Sequence, residues 1–242
     1  MDPQRSELAK MIDHSLLHPT LTDRELREGC RIARLYDVAS VCIKPYAVGL
    51  AKEALEGSGV LVCSVVGFPH GNSSVEIKTA ETRDICEKGA VEVDAVVNIG
   101  KALGGDWQYV RDEIARINDT ALSYSAITKV IFENDYLQEE HIVKLCEICN
   151  EVDVAFVKTS SGYGFTKQKN GMYSYRGATS SHLKLMRRYA NGHIGVKAAG
   201  GVRTLDDLLR VKSLGVARVG ATATADILDE ARNRFSSISP LQ

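Results

Sequence analysis

The 242 residues carry 44% hydrophobic and 25% charged side chains, ordinary for a globular chain able to bury a sizeable core. With 30 basic against 31 acidic residues and no long run of either sign, the composition speaks against a nucleic-acid footprint or a polybasic membrane patch and leaves small anionic partners open. No stretch approaches the roughly 18 apolar residues of a membrane span, and MDPQRSELAKMIDHS lacks a continuous apolar leader segment, so a cytoplasmic protein is expected.

A short N-terminal helical extension precedes KMIDHSLL, in which Ile12 and Leu16 flank polar residues. Short runs rich in β-branched residues then recur: ASVCI (39–43), VLVCSVV (60–66), VDAVVNI (93–99), TKVIFE (128–133), DVAFVK (153–158), HIGVKAA (193–199) and VARVG (216–220). Segments such as LTDRELREGCRIARLY, SVEIKTAETRDICEKG, LQEEHIVKLCEICNE, TSSHLKLMRRYA and TLDDLLRVKSLG separate them, with apolar residues at three- and four-residue intervals. Thr204 with Asp207 reads as a capping box and Gly215 as the stop of that helix. Continuous apolar strands bury both faces, as parallel strands covered by helices do. Eight such units predict a single-domain α/β fold over residues 1–242, a (β/α)8 TIM barrel. An open doubly wound sheet is the alternative, because periodicity does not show closure. No G-x-G-x-x-G follows the first strand and no Walker-type lysine loop occurs.

Two further features follow from local pattern. In LCEICN, Leu145, Ile148 and Cys149 sit at helical spacing, which favours core packing of the C-x-x-C pair over metal or redox use, and the six cysteines match no disulfide framework. Residues 165–177, FTKQKNGMYSYRG, are polar and aperiodic and read as an inserted loop, either part of a site or a plain surface insertion.

Parallel barrels place their chemistry at the C-terminal strand ends. The polar residues there are Asp13, Cys42 with Lys44, Asp94, Asn98, Glu133, Lys158 and Lys197. Lys158 in FVKTSSGYG and Lys197 in GVKAAGGVRT lie on consecutive strands, which run about 4.8 Å apart when paired. Two ammonium groups about 4 Å apart at an effective dielectric of about 20 repel by roughly 4 kcal/mol, enough to strip a proton from one of them near neutrality. A free amine in a protected pocket attacks a carbonyl carbon and forms a Schiff base. The other reading pairs each lysine with a carboxylate such as Asp94 or Glu133 in a structural network. Asp94, set among valines, is the best inward acid for proton transfer, though such an aspartate also serves as a cap or a barrel-layer ion pair. Gly162, Gly200, Gly201 and Gly220 sit on neighbouring strand ends before helical patterns, an arrangement suited to a phosphate, with Ser160, Ser161, Thr222 and Arg203 as further donors. Glycines also end strands for steric reasons alone. The six histidines show neither H-x-H nor H-E-x-x-H spacing, which disfavours a metal site.

Taken together, IDHSLLHP, SVCIKP, VVGFPHG, EVDAVVNIG, FVKTSSGYG, VKAAGGVRT and RVGATAT resemble, in order and spacing, the deoxyribose-phosphate aldolases, class I aldolases of (β/α)8 fold, over roughly residues 10–232. The resemblance implies reversible cleavage of 2-deoxy-D-ribose 5-phosphate, a small phosphorylated sugar, to D-glyceraldehyde 3-phosphate and acetaldehyde, without metal or other cofactor. It puts the Schiff-base lysine on Lys158, the second lysine on Lys197 and the relay aspartate on Asp94. Asp13 and Cys42 fall on site-adjacent positions, and Gly162, Gly200, Gly201 and Gly220 on phosphate-binding loops. A homodimer is a family-level expectation. Departures from the pattern are the insertion before RGAT, Ala223 after Thr222 where a second serine is common, Lys44 where an uncharged residue is common, and no tyrosine after Tyr189. They bear on which aldehydes are used and how tightly phosphate is held. An aldolase with another donor or acceptor, or a non-catalytic phosphosugar-binding barrel, is the competing reading.

Overall fold

The structure is a computed structural model that describes residues 3–236. After helix α1 (Pro3–Ala9), strands and helices alternate: β1 (Ile12–Leu16), α2 (Asp23–Tyr36), β2 (Ser40–Ile43), α3 (Val48–Ala54), β3 (Leu61–Val66), α4 (Val75–Glu87), β4 (Glu92–Val96). The second half continues with α5 (Ile99–Leu103), α6 (Trp107–Ser123), β5 (Ile127–Ile131), α7 (Glu139–Val152), β6 (Phe156–Lys158), the short strands β7 (Thr166–Lys167) and β8 (Tyr173–Ser174), α8 (Ser180–Tyr189), β9 (Gly195–Ala199), α9 (Leu205–Ser213), β10 (Arg218–Ala221) and α10 (Thr224–Ser236). Eight parallel strands close in the order β1-β10-β9-β6-β5-β4-β3-β2, so the sheet is a barrel and not an open doubly wound sheet.

Helix ends follow the sequence signals. Thr22 and Glu25 form a capping box at α2, and Thr204 with Asp207 does the same at α9, each satisfying amides that the first turn leaves unpaired. Cys146 and Cys149 are both buried in the core between α7 and the barrel, which settles the C-x-x-C pair as packing. Asn98, read above as the polar end of a strand, instead caps α5, its Oδ1 accepting from the Lys101 amide at 3.1 Å. A strand that stops at Val96 leaves Asn98 free to begin a helix, which its side chain favours.

The inserted segment carries a short ribbon at its centre. Thr166–Lys167 and Tyr173–Ser174 pair antiparallel as a two-stranded ribbon. Its strands have two residues each and are mostly exposed, so no alternating apolar pattern marks them.

Between barrel and helices, a fully buried pair links α4 to α6: Lys78 Nζ lies 2.7 Å from Glu113 Oε1 and 2.7 Å from the Val96 carbonyl. Glu113 Oε2 also accepts from the Asn98 amide at 2.8 Å. The pair thus clamps the outgoing end of β4, the strand that carries Asp94. No helix among the described residues is long and apolar enough to cross a membrane.

Candidate active site

The barrel lumen is filled with charge. Asp13, Glu92, Asp94, Lys129, Lys158 and Lys197 are all buried, and Arg218 joins them partly covered. That they meet in the lumen follows from contacts between strands that are not neighbours: Arg218 of β10 reaches Glu92 of β4 at 3.1 Å, across the barrel. Ionised groups at this depth persist only when paired. The pairing is dense. Lys129 Nζ contacts Glu92 at 2.7 Å, Asp94 Oδ1 at 3.0 Å and Asp13 Oδ2 at 3.2 Å. Lys197 Nζ contacts Asp13 Oδ2 at 2.5 Å and Asp94 Oδ2 at 2.7 Å, while Arg218 reaches Asp13 Oδ1 at 2.5 Å. Lys158 Nζ has one carboxylate contact, Asp94 Oδ2 at 2.7 Å.

Lys158 and Lys197 are therefore at most 5.4 Å apart, twice the 2.7 Å that each keeps to the same oxygen. Their strands pair in register at these two residues. Thr159, next along, locks that register: its Oγ1 donates to the Ala199 carbonyl at 3.1 Å and accepts from the Ala199 amide at 3.0 Å. Neither sequence reading holds in full. The amines are crowded, as repulsion alone would require, yet they share a carboxylate instead of facing each other bare or owning one acid each.

Counting the network resolves the two. Four basic side chains, Lys129, Lys158, Lys197 and Arg218, face three carboxylates, Asp13, Glu92 and Asp94. Burial opposes the charge on Lys197, but Asp13 and Asp94 overcome it and hold this amine well above the usual lysine range. Lys129 is held up in the same way, against burial, by Asp13 and Asp94. Burial would likewise raise both aspartates, but the surrounding ammonium groups keep Asp13 and Asp94 below the ordinary carboxylate range. Among direct ion pairs of the described residues one basic group exceeds the acids, and Lys158, with half a share of one oxygen and the Glu133 carboxylate at longer range, has the least carboxylate contact.

A cavity of about 160 Å³ opens above this network. Lys158, Lys197, Cys42, Gly162, Gly200, Gly201, Gly220 and Thr222 line it, together with Ser161, Tyr163, Tyr175 and Arg203. Three basic residues and no carboxylate form its wall, which suits an anion. Asp94 lies beneath the floor, behind Lys158, Lys197 and the Cys42 thiol. Asp13, expected beside a ligand, is not among the residues lining the cavity and is held among Lys129, Lys197 and Arg218. Ser160 is buried off the cavity, whereas Ser161 is on it. Glu133, in left-handed backbone conformation (φ 62°), braces the turn after Lys158, its carboxylate accepting from the Ser161 amide at 3.1 Å and from the Ser161 hydroxyl. Lys44 points elsewhere, donating to the Leu21 carbonyl at 2.8 Å.

Cys42 and Cys63 face each other on β2 and β3 with sulfurs 3.6 Å apart. The Cys63 hydrogen bond holds the Cys42 thiol below its usual range, and burial pushes Cys63 well above. Among the described residues, these two sulfurs and a carboxylate oxygen of Asp94 are the one donor group compact enough for a metal, all within 4.8 Å. Lys129 sits 3.3 Å from Cys63, and three lysines already occupy Asp94, so a cation would face ammonium groups instead of free donors.

Lys129, Glu92 and Arg218 are not at C-terminal strand ends: Glu92 and Arg218 open their strands and Lys129 sits mid-strand. A signal was present: Glu92 and Asp94 are two apart on one strand, hence on one face, and charged residues within apolar runs need partners.

The fold agrees with comparison to known proteins. Residues 7–224 match the model of the DeoC/LacD family aldolases. The chain belongs to this aldolase family. It is 46% identical over 234 residues to a deoxyribose-phosphate aldolase of Rhodopirellula baltica, covering 97% of this chain and 93% of that one. Among solved structures, the aldolase QR15 superposes with TM-score 0.87 at 32% identity, covering 96% of this chain and 99% of that one. The deoxyribose phosphate aldolase of Aeropyrum pernix, described as a tetramer, gives TM-score 0.82 at 27% identity, over 95% of this chain and 93% of that one. Within the family, the surplus amine at the cavity floor is the feature that bears on aldol chemistry.

Proposed function

We propose that this aldolase cleaves 2-deoxy-D-ribose 5-phosphate reversibly to D-glyceraldehyde 3-phosphate and acetaldehyde, with Lys158 as the Schiff-base nucleophile. The observation that carries the reading is the shared Asp94 oxygen beneath Lys158 and Lys197 in a lumen with more base than acid. Lys158, the amine with the fewest carboxylate contacts, attacks C1 of the open-chain sugar. The carbinolamine loses water to an iminium, which draws electrons from the C2–C3 bond. As the C3 hydroxyl loses its proton, that bond breaks, the three-carbon phosphate leaves as an aldehyde, and an enamine of acetaldehyde stays on Lys158. Protonation at C2 and hydrolysis then free the amine. Lys197, with Asp94 behind it, holds and passes the proton in these steps, in or through water at the cavity floor.

The glycine-rich rim at Gly162, Gly200, Gly201 and Gly220, with Thr222 and Arg203, is the place for the sugar phosphate. Independence of metal, a cytoplasmic location and assembly as a homodimer complete the reading. Full activity in chelator and a dimer mass by light scattering would support the first and last.

Borohydride reduction in the presence of acetaldehyde, followed by peptide mapping, is the decisive experiment. An ethyl adduct on Lys158 and release of acetaldehyde from 2-deoxy-D-ribose 5-phosphate are expected. An adduct without that release would mean another acceptor aldehyde, and no adduct at all would mean binding without catalysis.

A further inference from the structure

We infer that Tyr175, carried by the β7–β8 ribbon, is a phosphate-binding residue of this site, paired with Arg203 and fixed by the positioning residue Asp135. The inference rests on the reading above that the cavity takes a phosphorylated sugar, and adds to it a residue supplied by the insertion.

Tyr175 lines the cavity beside Gly200, Gly201 and Arg203. The Arg203 guanidinium donates to the Tyr175 hydroxyl at 3.2 Å. That bond occupies the oxygen as an acceptor and leaves the phenolic proton to be donated, and no acceptor takes it among the described residues. Arg203 itself makes no ion pair among the described residues. An uncompensated guanidinium and a spare hydroxyl proton, side by side on a wall with no carboxylate, form a two-pronged donor for an anion.

The ring is held in place from three sides. Phe165, at the start of the ribbon, packs edge-on against it with centroids 5.2 Å apart. Asp135, whose carboxylate is almost wholly covered, accepts from the Arg176 amide at 3.1 Å and from the Gly177 amide at 2.9 Å, anchoring the two residues that follow Tyr175. The base of the ribbon then presses on the rim: Ala178 donates to the Gly200 carbonyl at 3.0 Å, and a Cβ on Gly177 would fall 2.6 Å from that oxygen. A Cβ on Gly200 would meet the Tyr175 ring at 3.3 Å, so bare backbone on both sides lets the tyrosine lie against the loop. A free surface insertion would need none of these contacts.

The test measures binding of inorganic phosphate by calorimetry, and kcat/KM for 2-deoxy-D-ribose 5-phosphate relative to unphosphorylated 2-deoxy-D-ribose. In Tyr175→Phe, loss of one hydrogen bond to an anion weakens phosphate binding about tenfold and lowers the ratio about tenfold. Asp135→Ala, which frees the ribbon without touching the ligand, moves both quantities the same way, and a general loss of stability would lower both rates without moving their ratio. Wild-type phosphate affinity and ratio in Tyr175→Phe would overturn the inference and leave the aldolase reading intact. Conversely, a wild-type chain that binds phosphate, loses it in Tyr175→Phe and releases no acetaldehyde would support the inference and defeat that reading.

Discussion

Lys158 and Lys197 stand in register on adjacent strands and donate to one and the same oxygen, Oδ2 of Asp94, each at 2.7 Å. One carboxylate oxygen cannot neutralise two ammonium groups, and Asp94 is further drawn by Lys129 on its other oxygen. Lys197 has a second carboxylate partner in Asp13, and Lys158 has none among the described residues.

Replacing Lys158 by arginine tests which amine reacts. A guanidinium keeps its charge at any working pH and cannot form a Schiff base. Lys158→Arg is expected to lose turnover to background and to show no acetaldehyde adduct by mass spectrometry, whereas the fold, read by circular dichroism, persists.

Lys197→Leu removes the charge that competes for the shared oxygen. Asp94 Oδ2 then belongs to Lys158 alone, so the proton stays where it blocks attack, and the relay loses its carrier. We expect kcat to fall by about 10²-fold or more, the usual worth of a positioned proton-transfer group. The borohydride trapping rate should recover as the pH is raised. A trapping profile identical to wild type would refute the electrostatic account of activation.

Lys129 is expected to matter for folding before chemistry. It touches three carboxylates at the centre of the lumen, and removing one partner of a buried ion network leaves unmatched charge, at a cost of about 3–5 kcal/mol. Lys129→Met should lower the urea midpoint accordingly. A shift under about 1 kcal/mol would mean that the lumen tolerates the imbalance.

A pH effect on stability is expected from His14. Its ring is buried against the Thr224 hydroxyl at 2.8 Å, and burial pushes the imidazole down to about 4. The unfolded ring takes up a proton below about 6.5 while the folded one resists until lower pH, so the unfolded state gains protons first. Stability should fall by about 3 kcal/mol as pH drops from about 6.5 to about 4. Urea titrations of His14→Gln, in which that slope should vanish, provide the check. Asp13 and Asp94 act in a lower window: their depressed carboxyls contribute stability present above about 3.9 and lost only as pH falls through their folded values.

Much of this site could be read from strand ends. Lys158, Lys197 and the glycines at or near the outgoing ends of β6, β9 and β10 are legible by a simple rule, that a charged or flexible residue toward the C-terminal end of a buried parallel strand has a purpose there. Asp94 was legible as an inward acid because valines surround it. Lys129, Glu92 and Arg218 were not, since their partners lie 35 to 205 residues away, and no local pattern says which charges will meet.

The order of eight apolar strands and their helices, and the presence of two lysines with glycines behind them, are properties of the chain alone, set by continuous apolar runs, a helical period of 3.6 and capping chemistry. Closure of the sheet belongs to the tertiary structure, and with it the meeting of β4 with β10 across the lumen. So do the three-against-four balance of charge and the seating of Tyr175 on the rim. Coulombic energy depends on distance and burial, and neither exists until the strands have closed on one another.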